Sequence, residues 1–365
     1  MEDNHNKRLI NLDIARTFAI MCVVLCHSIQ CVYKFNMQIW NTFSLSSKFF
    51  MIISFTIARI GVPIFLCLTG ALTLRKNFEE PAEIKKFYKK NLIPMIIVTE
   101  VWIILYNLYF YIFNNSSGSQ DVKLQLKELI KNIFFIKKVN LPNMWYMPMI
   151  IGMYIVVPYL GILVKKLNIK EIKVPLILSI VLFMIIPTLN IVLKIFNKEI
   201  TTIIDRSFLG GIYGIYIILG FYIYKGKFKN IKITYVYIST LILIIATVIF
   251  QFYLFSKNYP YDLWYNNIFL AGASLCIFEF FCRLDIKNQK MKMFNFIERI
   301  SKYSLGIFFV HIIIQNMLYK YITKIQLINP LKVMLIFLLE FSISFVIVCL
   351  GSKLKYTKKY LFLIK

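Results

Sequence analysis

The chain has 365 residues, of which 59% are hydrophobic and only 16% are charged, and its mean hydropathy is +0.68. An average soluble domain carries about 25% charged residues, so this composition excludes a soluble globular protein, a disordered chain and a soluble nucleic-acid-binding domain. The 43 Lys and Arg residues outnumber the 17 Asp and Glu residues and give a net charge of +26, and an integral membrane protein accommodates both this charge and the apolar content.

Ten segments of the chain are predicted to be transmembrane helices. Each has the roughly 20 mostly apolar residues that a helix needs to cross the hydrocarbon core of a bilayer. The first contains Asp13 and Arg16 and is too long for a cleaved signal peptide, so we expect it to remain in the protein. We therefore predict an all-α bundle in which residues 1–365 form one polytopic domain with no soluble domain. The segments lie near residues 11–33, 49–74, 92–113, 144–164, 174–193, 203–224, 233–255, 265–282, 303–323 and 331–351.

The positive residues predict the orientation of this bundle. If the chain enters the membrane from the cytosol, the inner segments hold 27 of the 43 Lys and Arg residues and the outer segments hold 12. Positive residues accumulate in cytoplasmic loops, so both termini are expected in the cytoplasm. The longest outer loop, near 114–142, has apolar residues at helical spacing from Leu126 to Phe134. This spacing indicates an amphipathic surface helix or a short re-entrant segment.

Ionisable residues inside the predicted helices are the candidates for function, because a charge there costs at least about 2.5–3.5 kcal/mol. Arg16 and His27 are eleven residues apart, or three helical turns plus about 20°, so both are expected on one face, roughly 16 Å apart along the axis. Asp13 lies one turn before Arg16, where it can pair with it. Alternatively, Arg16 extends to the inner headgroups and His27 makes a structural contact to another helix. The full set is Asp13, Arg16, His27, Arg59, Glu100, Asp205, Arg206, His311 and Glu340.

Arg59 is the second candidate charge, and Gly61-Val62-Pro63 follows it closely. A proline inside a span frees backbone groups that must be satisfied within the bundle, so a buried arginine beside it suits an anion or carbonyl site. The alternative is a structural ion pair between Arg59 and Glu100, which lies at similar depth.

Three further sets of residues leave several roles open. Glu340 is a possible structural partner of His311, as Glu100 is of Arg59. Asp205 with Arg206 is expected to cap the sixth helix. His27 and His311 together are alternative ligands for a haem or a metal ion. The seven cysteines form no CxxC and no Cys/His spacing suited to zinc, and no metal site is predicted.

Four stretches, in order along nearly the whole chain, resemble the motifs of the membrane acyltransferase-3 family. The first two are similar to its opening L-D-x-x-R…H signature and to its V-P-x-F-F-x-x-S-G segment, with Thr69 in place of the usual Ser. The next two are similar to its W-[FY]-x-x…Y…P and S-[FLY]-G-[IL]-Y-L-x-H segments. A departure is the R-x-x-R pair of many members, where this chain has lysines from Lys85 to Lys90. The four stretches are 8–16 with His27, 62–70, 143–148 with Tyr154 and Pro158, and 304–311.

The resemblance implies transfer of an acyl group, with acetyl expected, from cytosolic acyl-CoA to a hydroxyl of a surface polysaccharide or lipid-linked sugar. His27 would then be the general base, Arg16 would orient the donor, and Asp13 would hold the Arg16 guanidinium. Arg59 or His311 would stabilise charge on the carbonyl oxygen. No permanently bound cofactor and no nucleic-acid partner is expected. The cofactor-binding candidates, toward acyl-CoA, are Arg16, Lys86, Lys89 and Lys90. The alternative for the three lysines is the ordinary positive charge of a cytoplasmic loop.

The resemblance also implies a multi-pass protein of the cell membrane, and the Lys, Asn and Ile usage is typical of a low-GC bacterium. Ten helices, a polar stripe and broken spans also permit a transporter or flippase of a glycan or lipid-linked sugar. The lack of an internal sequence repeat argues against that alternative. A non-catalytic assembly or anchoring protein is the third possibility, and acyl transfer from labelled acyl-CoA would discriminate among the three.

Overall fold

The computed structural model of the chain describes residues 9–114, 122–137, 139, 141–201, 210–286, 292–322 and 324–364, which form helices and, within these ranges, no strands. The first half contains α1 (Ile10–Tyr33), α2 (Met37–Thr42), α3 (Leu45–Arg59), α4 (Gly61–Thr73), α5 (Pro81–Phe87), α6 (Ile93–Asn114), α7 (Val122–Ile133) and α8 (Tyr146–Lys166). The second half contains α9 (Lys173–Ile180), α10 (Ile186–Leu193), α11 (Gly211–Tyr224), α12 (Ile233–Ser256), α13 (Ile268–Arg283), α14 (Lys292–Ile322), α15 (Asn329–Gly351) and α16 (Lys355–Tyr360).

Eight helical stretches of the described chain are long and apolar enough to cross a membrane. They coincide with eight of the ten predicted segments. In two of the eight, π-helical turns at Tyr88–Leu92 and Val181–Ile185 join shorter helices, α5 to α6 and α9 to α10. The other two predicted segments correspond to the shorter helices α11 and α13. The all-helical membrane fold is thus confirmed, whereas the count of ten spans and the orientation stay predictions.

A capping asparagine precedes α13, the helix of the eighth predicted segment. The eighth predicted segment starts near 265, and α13 begins at Ile268, because the Asn267 side chain accepts hydrogen bonds from the amides of Phe269 and Leu270 at 3.0 and 3.1 Å. An asparagine in this position is a common helix N-cap. Asp205 and Arg206, the expected cap of the sixth helix, lie outside the described residues.

The second span is interrupted at Ile60, between α3 and α4, while the backbone there keeps right-handed helical angles (φ −67°, ψ −24°). Pro63 falls in the first turn of α4, where the missing N–H costs nothing because that amide has no helical partner. Gly61 lets α4 approach α1 closely, since a Cβ atom at Gly61 would lie 2.6 Å from the carbonyl oxygen of Ala19. The interruption therefore places Arg59 against α1.

The centre of the bundle is α1, which packs against α3, α4, α13, α14 and α15. By contrast, α12 is largely exposed, since only 11% of its most apolar stretch is buried. Its exposed residues recur every three or four positions and form one apolar stripe, as expected of a lipid-facing helix. This stripe consists of Ile238, Leu241, Ile242, Ile245 and Ile249.

The long loop after α6 contains a helix, α7, as the spacing of its apolar residues predicted. Glu128 on this helix pairs with Lys131 at 3.5 Å and with Lys137 just beyond the helix end. The hydrogen bond from Lys137 lowers the pKa of the Glu128 carboxyl. The amphipathic form is thereby confirmed, and its seating on the membrane surface stays a prediction.

Candidate active site

A polar cluster joins the first turn of α1 to α14. Arg16 Nη1 lies 3.5 Å from Asp13 Oδ1, so the pairing expected from their one-turn separation is present. Ser301 on α14 connects the two residues: its hydroxyl donates to Asp13 Oδ1 at 2.5 Å and accepts from Arg16 Nη1 at 3.1 Å. Asp13 is buried, and these contacts hold the Arg16 guanidinium at a fixed place.

The two intramembrane histidines are neighbours in the folded chain. The ring centroids of His27 on α1 and His311 on α14 are 5.4 Å apart. His27 Nδ1 lies 3.1 Å from Gln30 Oε1, and His311 Nδ1 lies 3.0 Å from the carbonyl oxygen of Ile307. Because a carbonyl oxygen can only accept, His311 carries its proton on Nδ1, and its Nε2 is left with a lone pair. That buried Nε2 has no hydrogen-bond partner in the described part of the chain.

Arg59 lies buried at the end of α3, and its partners differ from Glu100, the alternative that the sequence left open. Its Nη1 donates to the Tyr265 hydroxyl at 3.1 Å, and its Nη2 donates to Asp262. Both partners belong to the loop between α12 and α13, which lies closer to the end of α3 than α6 does. The planar fork of a guanidinium suits two acceptors at once. Arg59 Nε is buried and makes no hydrogen bond to the described residues.

Aromatic rings surround the Arg59 guanidinium. Its central carbon lies 4.7 Å from the Phe55 ring centroid and 5.3 Å from that of Trp264. The ring centroid of Trp145, just before α8, lies 4.9 Å from that of Trp264. The end of α3, the α12–α13 loop and the start of α8 therefore meet there. The hydroxyl of Tyr216 donates to the carbonyl oxygen of Tyr265 at 2.7 Å and fixes the α12–α13 loop to α11. Such ring faces attract a cation and provide flat apolar surface.

Glu340 on α15 does not pair with His311, contrary to one expectation. Glu340 Oε2 accepts from the Ser28 hydroxyl at 2.8 Å and from Gln315 Nε2 at 3.2 Å. Gln315 is one turn beyond His311 on α14, and its side chain reaches Glu340. The His311 ring instead lies next to the His27 ring. Glu340 therefore connects α15 to α1 through Ser28, the residue after His27, and to α14 through Gln315.

Two adjacent cavities lie along α1. The larger, of about 180 Å³, is lined mainly by apolar side chains, with Arg16 at its wall. The smaller, of about 20 Å³, is lined by His27 and Arg59 among others, and is large enough for about one water molecule. The cavities share four wall residues, so together they follow α1 from Arg16 toward His27. The shared residues are Val23, Val62, Tyr146 and Phe308.

The predicted donor-binding lysines are separate from these cavities. Lys86, Lys89 and Lys90 are exposed, on α5 and the π-helical turn that follows it. Lys86 forms an ion pair with Glu83 at 2.8 Å. None of the three is among the described residues that line either cavity.

Five residues of the site were not predicted as functional candidates from the sequence. Ser301, Asp262, Trp264 and Tyr265 contact the predicted arginines, and Asn143 lines the smaller cavity. Asp262 lies in a short loop next to two aromatic residues, and this isolated acid was the one signal that pointed to a partner for a buried arginine. Asn143 is the first residue of the stretch 143–148, but the family pattern that this stretch resembles begins at the tryptophan and so does not mark Asn143.

Comparison with known families identifies one match, a family model described as an acyltransferase domain, over residues 9–351. Comparison with curated proteins and with solved structures gives no match. The matched range covers nearly the whole chain and contains every helix of the two cavities. The four motifs predicted the same family from the sequence. The chain therefore belongs to the acyltransferase-3 family and is a membrane acyltransferase.

Proposed function

We propose that this acyltransferase moves an acyl group, with acetyl expected, from cytosolic acyl-CoA to a hydroxyl of a cell-surface polysaccharide or lipid-linked sugar. The observation that carries the proposal is the pair of adjacent cavities, which follows α1 from Arg16 to His27. A donor and an acceptor that enter from opposite sides of the bundle can meet where the cavities adjoin. We place the protein in the cell membrane of a bacterium.

The donor side is the larger cavity. Arg16 is positioned there by Asp13 and Ser301, and its guanidinium, which lines the cavity, would bind a carbonyl or phosphate oxygen of the donor. The apolar walls accommodate the thin, flexible thioester arm of acyl-CoA. Lys86, Lys89 and Lys90 lie at the end of the bundle that the charge pattern predicts to be cytosolic, where they would bind CoA phosphates as point charges.

The acceptor side is the smaller cavity, where His27 is the proposed general base. With Nδ1–H donated to Gln30, the Nε2 lone pair of His27 takes the proton of the attacking hydroxyl. The hydroxyl oxygen bonds to the thioester carbonyl carbon, the C–S bond then breaks, and His27 returns the proton to the CoA sulfur. Arg59 stabilises the negative charge on the carbonyl oxygen during this step.

The histidine pair supports this assignment. His311 Nε2 also has a lone pair, and its ring lies 5.4 Å from that of His27. A positive charge that develops on His27 is therefore next to a neutral ring rather than a second cation. A positioned base of this kind contributes about 10²–10⁴ to the rate.

The test is acyl transfer in membrane vesicles that contain the protein, with acetyl-CoA labelled in the acetyl group. We expect label to enter glycan or lipid-linked sugar in the wild-type vesicles, and His27→Gln to lower this rate by about 10²–10⁴. The matched control is His5→Gln, which removes the one histidine outside the predicted helices and should leave the rate unchanged. Glycan translocation without label transfer would support a transporter instead.

A further inference from the structure

Asn143, just before α8, has a side-chain amide that is held in one orientation. The residue is buried, and its Nδ2 donates to the carbonyl oxygen of Phe308 at 3.1 Å. Nδ2 also lies 3.5 Å from the Tyr106 hydroxyl, which uses its own hydrogen to donate to the carbonyl oxygen of Phe309. Both neighbours of this end of the amide can therefore only accept, so the end that faces them is the NH₂ group and the other is the oxygen.

Asn143 Oδ1 is a buried acceptor with no hydrogen-bond partner among the residues that the structure describes. Buried polar atoms in proteins are almost always paired, so an unpaired one needs an explanation. Asn143 lines the smaller cavity together with His27 and Arg59. These three side chains supply a base, a donor and an acceptor around one small space. The proposed transfer uses the base and the donor and leaves Oδ1 without a role.

The acceptor substrate can supply the missing donor, but not from its reacting hydroxyl. That hydroxyl has one hydrogen, which goes to His27 when the oxygen attacks the thioester. Oδ1 can only accept a hydrogen bond, so it requires a second O–H or N–H group. The reacting hydroxyl would lie where the two cavities adjoin, and the smaller cavity of about 20 Å³ has room for only one further water-sized group close to it.

We propose that Asn143 Oδ1 binds a second donor on the carbon next to the reacting hydroxyl, and that the acceptor is consequently a vicinal diol or a hydroxyl beside an amide N–H. This inference rests on the proposed function and names its acceptor class. It admits ring hydroxyls of a sugar, whose neighbours carry O–H or acetamido groups. It excludes the C6 hydroxyl of a pyranose, because the adjacent carbon carries the ring oxygen, which has no hydrogen.

The first test needs no variant. Glycan from cells that carry the protein is freed of ester groups with mild alkali, labelled again in wild-type vesicles with acetyl-CoA, and mapped by NMR. We expect the new acetyl group on a ring hydroxyl that has a neighbouring O–H or N–H. Acetylation of a pyranose C6 hydroxyl would overturn the inference while leaving the proposed function intact. If the wild-type vesicles transfer no acetyl group at all, the proposed function itself fails.

The second test separates binding of the acceptor from a structural role. Asn143→Ala should lower transfer to the glycan roughly tenfold to hundredfold, while release of free CoA by attack of water on acetyl-CoA stays at the wild-type rate. Tyr106→Phe, which touches only the Nδ2 side, should leave the ratio of transfer to hydrolysis unchanged. An equal fall of both rates in Asn143→Ala, or no fall, contradicts the inference.

Discussion

At the scale of single residues, Arg59 shows how a charge is stabilised inside the bundle. Its guanidinium bridges Tyr265 and Asp262 and is enclosed by aromatic rings, while Asp262 itself is half-exposed at the bundle surface. The arginine thus extends from a half-exposed carboxylate to the buried cavity beside His27. A lysine carries its three N–H groups on one nitrogen, so it cannot reach Tyr265, Asp262 and a substrate at the separate positions that the guanidinium nitrogens occupy.

We therefore expect Arg59→Lys to lower acyl transfer about 10²–10³-fold, the usual cost of losing one donor to a developing oxyanion. The rate is measured with labelled acetyl-CoA in vesicles, at matched amounts of inserted protein. Arg75→Lys is the matched control, because Arg75 also donates to a tyrosine hydroxyl, that of Tyr224, but lines neither cavity among the described residues. Equal losses in the two variants would show that Arg59 acts only through stability.

The extent to which the site residues could be predicted depends on whether they share a helix. Asp13, Arg16 and His27 follow from helical periodicity alone, since 3.6 residues per turn fixes their relative directions. Asp262 could not be assigned to Arg59 in the same way, because the two are 203 residues apart. Their contact depends on how α3 packs beside the loop after α12, and no local pattern specifies that packing.

At the scale of helices, glycines allow a very close approach between α4 and α11. A Cβ atom at Gly70 would lie 1.8 Å from the carbonyl oxygen of Ile217, and one at Gly220 would lie 2.4 Å from Cα of Cys67. Small residues that let two backbones touch are the usual basis of helix association in membranes. The neighbouring Thr69 lines the larger cavity, so this contact also sets the shape of the donor side.

We expect Gly70→Ala to destabilise the protein by about 1–3 kcal/mol or more, because the added methyl group meets backbone that cannot move aside. Gly152→Ala is the matched control: Gly152 is an exposed glycine within α8, and a Cβ there meets nothing within 4 Å. That change should be neutral or stabilising by roughly 0.5–1 kcal/mol. The measurement is the Tm of each variant in detergent, and a Tm of Gly70→Ala at or above that of Gly152→Ala would contradict the close contact.

Hydropathy and length predicted where the spans lie, but not how they end. Eight predicted segments match helices, since each needs only a sustained apolar run. The eighth predicted segment starts near 265 and α13 begins at Ile268, because Tyr265 instead contacts Arg59 and Trp145 from the loop before the helix. An aromatic loop that covers a cavity and an aromatic helix end have the same composition, and only tertiary contacts separate them.

At the scale of the whole molecule, the proposed chemistry requires one orientation in the membrane. The Arg16 cluster and the exposed lysines from Lys85 to Lys90 must face the cytosol, where acyl-CoA is made, and the α12–α13 loop with Asp262 must face outside. The uneven distribution of Lys and Arg, 27 against 12 between the two sets of loops, predicts that arrangement. Orientation therefore links the charge pattern to the assignment of donor and acceptor sides.

Labelling of single introduced cysteines in intact cells checks this orientation. Lys257→Cys, just after α12, and Lys355→Cys, at the start of α16, both replace exposed lysines that the orientation predicts to be on opposite sides. We expect a membrane-impermeant maleimide to label Lys257→Cys in intact cells and Lys355→Cys only after the cells are opened. The native chain is the background control, since its seven free cysteines are all buried or half-buried. The reverse pattern would place Arg16 outside, away from cytosolic acyl-CoA, and the donor assignment would then fail together with the orientation.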